Sequence, residues 1–249
     1  MITVPNPNIE EYKVHYISES ESLEDIPPAI TQFIDPASKA FFLDKESKAN
    51  EFLSSISSIP IKQWYQQLFS KKCALVILEK GKGHFLESPG GSYLIFQNDS
   101  DSFVNNEEWS HSGSSMDFDK KLYNPNNYFP ELLELLKFSA VHFSYWYGGA
   151  KLIKLGDDNL AINDEWLPLF LEELDIDGLN IEQIRIFYED YSGNHLFYDN
   201  QFNIWCGGVD EADFWKTELS GKEVLNSIFL AHTNEEFPAI SNIAKGKYL

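Results

Sequence analysis

Twice along the chain, apolar residues spaced three and four apart give way to short β-branched and aromatic runs cut by glycine or polar turns. Such a switch of period, from 3.6 to 2, commits a segment to helix and then to antiparallel strands. In the first half, Lys45 to Ser58 has a helical pattern, and IKQWYQQLF places Trp64 and Leu68 on one helix face. CALVIL, HFLES and SYLIF then alternate with GKG and SPGG, which predicts a three-stranded meander over 73–97. In the second half, Phe129, Leu132, Leu133 and Leu136 form one helical stripe. AVHFSYWYGGAKLIKL follows as two strands joined at Gly148-Gly149. A second stripe runs through Leu167, Phe170, Leu171 and Leu174, with Asn163 or Asp164 as its cap and Asp177-Gly178 at its end. IRIFYED, HLFYDN and FNIWC predict another meander, and DFWKTELSGKEVLNSIFLAH one or two closing helices.

The expected class is therefore α+β, antiparallel meanders packed with helices. HFLESPGGSYLIFQND loosely matches FYEDYSGNHLFYDNQ, so a degenerate repeat of a helix plus a three-strand unit is one reading. The features they share are also those of any hairpin. Residues 98–128 are rich in Asn, Ser and Asp without periodicity, which marks a long polar loop between an N-terminal half, 1–97, and a C-terminal half, 129–249. The two halves read equally well as one continuous domain. SESESLEDIPPAI, with its paired prolines, reads as a loop after a strand around Tyr12 to Ile17.

With 43% hydrophobic and 15% aromatic residues the chain is too apolar for disorder, and no run nears the roughly 18 residues of a membrane span. Cys73 and Cys206 both sit in apolar runs and read as buried free thiols. The N-terminus has neither a basic stretch nor an apolar core, so a cytoplasmic location is expected. The single arginine among 19 basic residues, with abundant asparagine, suggests a microbial source.

The net charge of -20 is unevenly spread. Between Asp157 and Asp213 there are 15 acids and one base, Arg185. A surface of this kind repels nucleic acid, attracts cationic peptides and basic proteins, and speeds their association about 10-fold or more at low salt. The candidate partner-binding residues are Asp157, Asp158, Glu172, Glu173, Asp175 and Asp177, with Tyr145 and Trp146 as aromatic anchors. On the Leu167 stripe the acids at 172, 173, 175 and 177 fall largely on or past the outward edge.

No chemical motif competes with this charge. The chain lacks G-x-S-x-G, H-E-x-x-H, a P-loop and a dinucleotide fingerprint. The fifth position of the acidic run that starts at Asp175 is Leu179, which excludes an EF-hand. Neither a catalytic set, a cofactor nor a metal site is therefore assigned, although Cys73 and His84 could meet across a hairpin as nucleophile and base. Arg185 shares a strand face with Phe187 and Glu189 and reads as one half of a structural ion pair.

Leu167-Pro168, Phe170-Leu171 and Asp177-Gly178, then GNHLFYDNQFNIW and DEADFWKTEL, follow one another in an order that resembles the SUKH superfamily over residues 163–229. The family's Asn-Gly-Gly after the helix is absent here. The resemblance implies an amphipathic helix at DEADFWKTEL and a bacterial immunity protein that neutralises a secreted toxin. Together, charge and resemblance point to a non-enzymatic inhibitor covering a basic protein, such as a cognate toxin, through an acidic face. Two other classes stay open: a hydrolase whose carboxylates assemble only in three dimensions, and an acidic accessory subunit of a larger assembly. Sequence does not decide the oligomeric state.

Overall fold

The computed structural model describes residues 2–5, 13–82, 87–88, 90–97, 114–118, 124–136, 138–143, 150–152, 180–208, 214–235 and 237–249. The chain is α+β, and every described strand pair is antiparallel. It divides into two compact units, Met1–Ser55 with Tyr65–Asp119, and Ile56–Trp64 with Lys120–Leu249.

In the first unit, strands β1 (Ile2–Pro5) and β2 (Lys13–Ser18) form a hairpin, followed by helices α1 (Pro28–Thr31), α2 (Pro36–Leu43) and α3 (Lys45–Ser55). Helix α4 (Ile59–Ser70), of which only the part from Tyr65 on belongs to this unit, leads into β3 (Lys72–Leu78). The prolines of IPPAI do not bar a helix: Pro28 occupies the first turn of α1, where its missing N–H costs nothing. Pro60 is held in the same way at the start of α4, and Pro36 at the start of α2, whose cap Asp35 accepts from the Ser38 amide at 2.8 Å.

Where the sequence suggested three strands over 73–97, β3 pairs directly with β6 (Gly91–Gln97), from Lys72↔Gln97 to Leu78↔Gly91. Between them β4 (Gly81–Lys82) and β5 (Glu87–Ser88) make a separate two-stranded ribbon, so the Glu87-Ser88 end of HFLES is not part of a central strand, and the rest of HFLES lies outside the described residues. The apolar run CALVIL is buried on both faces, which explains its lack of alternation. Cys73, Leu75 and Ile77 share the face on which Phe96 meets Phe41 and Phe69. On the other face Ala74 and Val76 join Val14, Tyr16 and Ile95. Strand β7 (Ser114–Asp117) pairs with β6.

The second unit holds α5 (Pro130–Leu136), the helix that the Phe129 stripe predicts, then β8 (Ala140–His142) and β9 (Lys151–Leu152), paired as the sequence implied. Strands β10 (Arg185–Glu189), β11 (Asn194–Tyr198) and β12 (Ile204–Gly208) form the expected meander, with β9 against β10. In DFWKTEL the expected amphipathic helix is replaced by a short strand, β13 (Trp215–Lys216), which pairs with Trp205 and Cys206 of β12. Phe214 lies against Gly207, where a Cβ would come within 2.6 Å of its ring. That packing holds the segment extended.

Helix α6 (Gly221–Asn234) starts at a capping box: the Ser220 hydroxyl accepts from the Glu223 amide, and the Glu223 carboxylate accepts from the Ser220 amide. It buries Val224, Leu225, Ile228 and Phe229, the last edge-on to Trp64 and Phe143. Short helix α7 (Ile240–Ala244) is tied down where Ser227 and Thr217 donate to the Ile243 and Ala244 carbonyls at 2.8 and 2.7 Å. No described helix is long and apolar enough to cross a membrane.

Candidate functional site

All eight residues singled out from the sequence, Asp157, Asp158, Glu172, Glu173, Asp175, Asp177, Tyr145 and Trp146, lie outside the described residues, as does His84. Four of the 15 acids between 157 and 213 are described: Glu182, Glu189, Asp190 and Asp199. Their environments separate structural from available charge.

Asp190 and Asp199 head two turns built to one plan nine residues apart, Asp190-Tyr-Ser-Gly-Asn194 and Asp199-Asn-Gln-Phe-Asn203. In the first, Asp190 Oδ1 accepts from the Ser192 and Asn194 amides at 2.8 and 2.9 Å, and Oδ2 from the Asn194 side chain at 3.1 Å. In the second, Asp199 Oδ1 accepts from the Gln201 and Asn203 amides at 2.8 and 2.9 Å, and Oδ2 from the Asn203 side chain at 2.8 Å. The backbone repeats as well: the first residue's N–H donates to the fifth residue's carbonyl, at 2.9 Å and 3.1 Å. The fourth position is left-handed in both turns, Gly193 at φ 80° and Phe202 at φ 62°. These are three-residue hairpin loops with a bulge at the left-handed position. Desolvation pushes the Asp199 carboxyl up, but hydrogen bonds from Asn203, Trp205 and Gln201 together outweigh it and hold the group below the usual carboxylate range.

Glu189 faces Lys151 across the β9–β10 pair, Nζ to Oε2 2.9 Å, and His195 across β10–β11 at 3.9 Å. A bulge between Ile186 and Tyr188 shifts the register, so the simple alternation that put Arg185, Phe187 and Glu189 on one face is broken. Of the four described acids, three are thus engaged in structure, and Glu182 stands exposed. The other eleven acids lie outside the described residues.

Next to the first turn the chain gathers aromatic and polar groups. Tyr188 is fully buried and its hydroxyl shares a 2.9 Å hydrogen bond with His232 Nε2, whose ring stacks on Phe143 at 4.1 Å. Burial lowers the His232 pKa to about 3, and burial first, then Asp190, Tyr248 and Tyr191, raises that of Tyr188. Groups titrating so far on either side of neutrality do not exchange protons near pH 7, so this pair fastens α6 to β10. Further out, the Tyr248 hydroxyl donates to Glu235 at 3.0 Å. Tyr191 and Phe237 meet edge to face, ring centroids 5.2 Å apart and planes at 70°, each 45% exposed.

The two turns carry a local sequence signal, D-x-x-G-N and D-x-x-F-N. The Tyr191–Phe237 pair joins residues 46 positions apart and left no local signal. Both thiols are buried and free, as expected, and burial pushes the Cys73 thiol up, away from thiolate chemistry. Among the described residues no group of three or more His, Cys, Asp or Glu is placed to hold a metal ion. No family model matches the chain, and neither a curated protein nor a solved structure matches it.

Proposed function

We propose that the protein is a non-enzymatic binding protein that covers a basic partner through its acidic C-terminal half, in the manner of an immunity protein neutralising a cationic toxin. The observation that carries this reading is the stretch from Asp157 to Asp213, with 15 acids against Arg185 alone. The described part of that stretch supports it in one respect. Asp190 and Asp199 serve as turn acceptors, while Glu182 stands exposed to solvent. Charge would supply association rate and orientation, while affinity would come from aromatic anchors near it. The resemblance to SUKH proteins adds the toxin as the partner's class.

The test is retention. Tagged protein is held on a column at low salt, exposed to lysate from its own cells, and eluted with a salt gradient. The expected result is one basic protein retained stoichiometrically and lost from the Glu172→Lys, Glu173→Lys, Asp175→Lys, Asp177→Lys variant. Equal retention of that protein by the folded variant contradicts the proposal.

A further inference from the structure

Resting on the binding role just proposed, the geometry points to the corner between Tyr191 and Phe237 as the receptor for an arginine or lysine side chain of the basic partner. Among the described residues these are the only two exposed rings in contact with each other. A lone exposed ring is ordinary, but two left 45% exposed side by side keep apolar surface in water that an inward turn of either would hide. With planes at 70° and centroids 5.2 Å apart, a cation set into the angle between the rings would come within about 6 Å of both centroids.

Charge around the corner selects that occupant over a neutral one. Phe237 directly follows Glu235-Glu236, and the Tyr248 hydroxyl fixes the Glu235 carboxylate at 3.0 Å. A guanidinium seated against the rings would therefore have the exposed Glu235 carboxylate within the same local field. The chain already contains this type of contact internally, with Lys245 Nζ 5.5 Å from the Trp215 centroid. The rings also stand on firm supports. Tyr191 is carried by the Asp190 turn, and Phe237 follows α6, which the buried Tyr188–His232 bond ties to β10.

The experiment uses nona-arginine as the probe, titrated into the full chain at 0.3 M salt, with nona-citrulline, its uncharged isostere of equal length, as the comparison. Tyr191→Ala with Phe237→Ala changes no formal charge, so an electrostatic field acting alone leaves the Kd unchanged. The corner predicts that this variant binds nona-arginine about 3- to 30-fold more weakly, and that Tyr191→Phe with Phe237→Tyr restores the affinity. Ring resonances of Tyr191 and Phe237 shift on binding in the parent. An unchanged Kd in the folded alanine variant overturns the corner, as does equal binding of nona-citrulline. If the four-lysine variant alone loses affinity, the acidic-face reading stands without the corner; if it too binds as the parent does, that reading falls as well.

Discussion

The turns at Asp190–Asn194 and Asp199–Asn203 share every hydrogen bond of their frame, yet one has glycine and the other phenylalanine in the left-handed position. Glycine reaches that conformation without steric cost, whereas a β-carbon there costs about 1 to 2 kcal/mol. The aspartate and asparagine therefore dictate the turn, and the fourth residue merely complies. A phenylalanine 37% exposed in a strained position, its ring centroid 6.3 Å from that of Tyr198, gives the second hairpin an aromatic tip. The first hairpin achieves a comparable display through Tyr191, at an unstrained position.

If the acid sets the turn, removing it should have the largest effect, and more so in the buried copy. Asp190→Ala leaves two amide groups and the Asn194 side chain without their acceptor at a site 3% exposed. It should cost about 2 to 4 kcal/mol, against about 1 to 2 for the more solvated Asp199→Ala. With about 2 to 4 °C of Tm per kcal/mol for a chain of this size, thermal melts separate the two. Equal losses would break the comparison.

Acid sharpens it further. His232, with a pKa near 3 in the fold, stays neutral where the unfolded chain takes up a proton. Stability should therefore fall as pH drops below about 6.5 and go on falling toward 3. The depressed Asp199 carboxyl acts lower: its contribution is present above the ordinary carboxylate pKa and is lost as pH falls through its folded value. Urea melts across pH should show His232→Gln flattening the upper part of the decline, and Asp199→Asn only the part below about pH 4.

The smallest effects lie at the fourth position. Gly193→Ala should destabilise by about 1 kcal/mol, and Phe202→Gly should stabilise by about 0.5 to 1, because the relief of strain exceeds the lost ring contact. Destabilisation by Phe202→Gly would show that the ring, and not the frame, holds the second hairpin.

Local chemistry decided what was readable in advance. Strands β10 to β12 and helices α3 to α6 carry their periods and breaks within a few residues of themselves. The ribbon in place of a central strand at Glu87-Ser88, and the strand in place of a helix at DFWKTEL, were set by pairing and packing from afar: β3 against β6 in one case, β12 and the Phe214–Gly207 contact in the other. Helix α2 has no such local period, and its start is set by Asp35 as cap and Pro36 in the first turn. For the site, the charge excess was plain in the sequence, but which acids are occupied in turns was not. The aromatic corner depends on a contact between β10–β11 and the end of α6 that no spacing encodes.

The most direct measurement is the association rate of the retained basic partner with the parent and the four-lysine variant between 0.05 and 0.5 M salt. Steering by the acidic stretch predicts that the parent's rate falls about 10-fold or more across this range, while the variant starts slow and changes little. Identical rates for both proteins at every salt concentration would contradict the account.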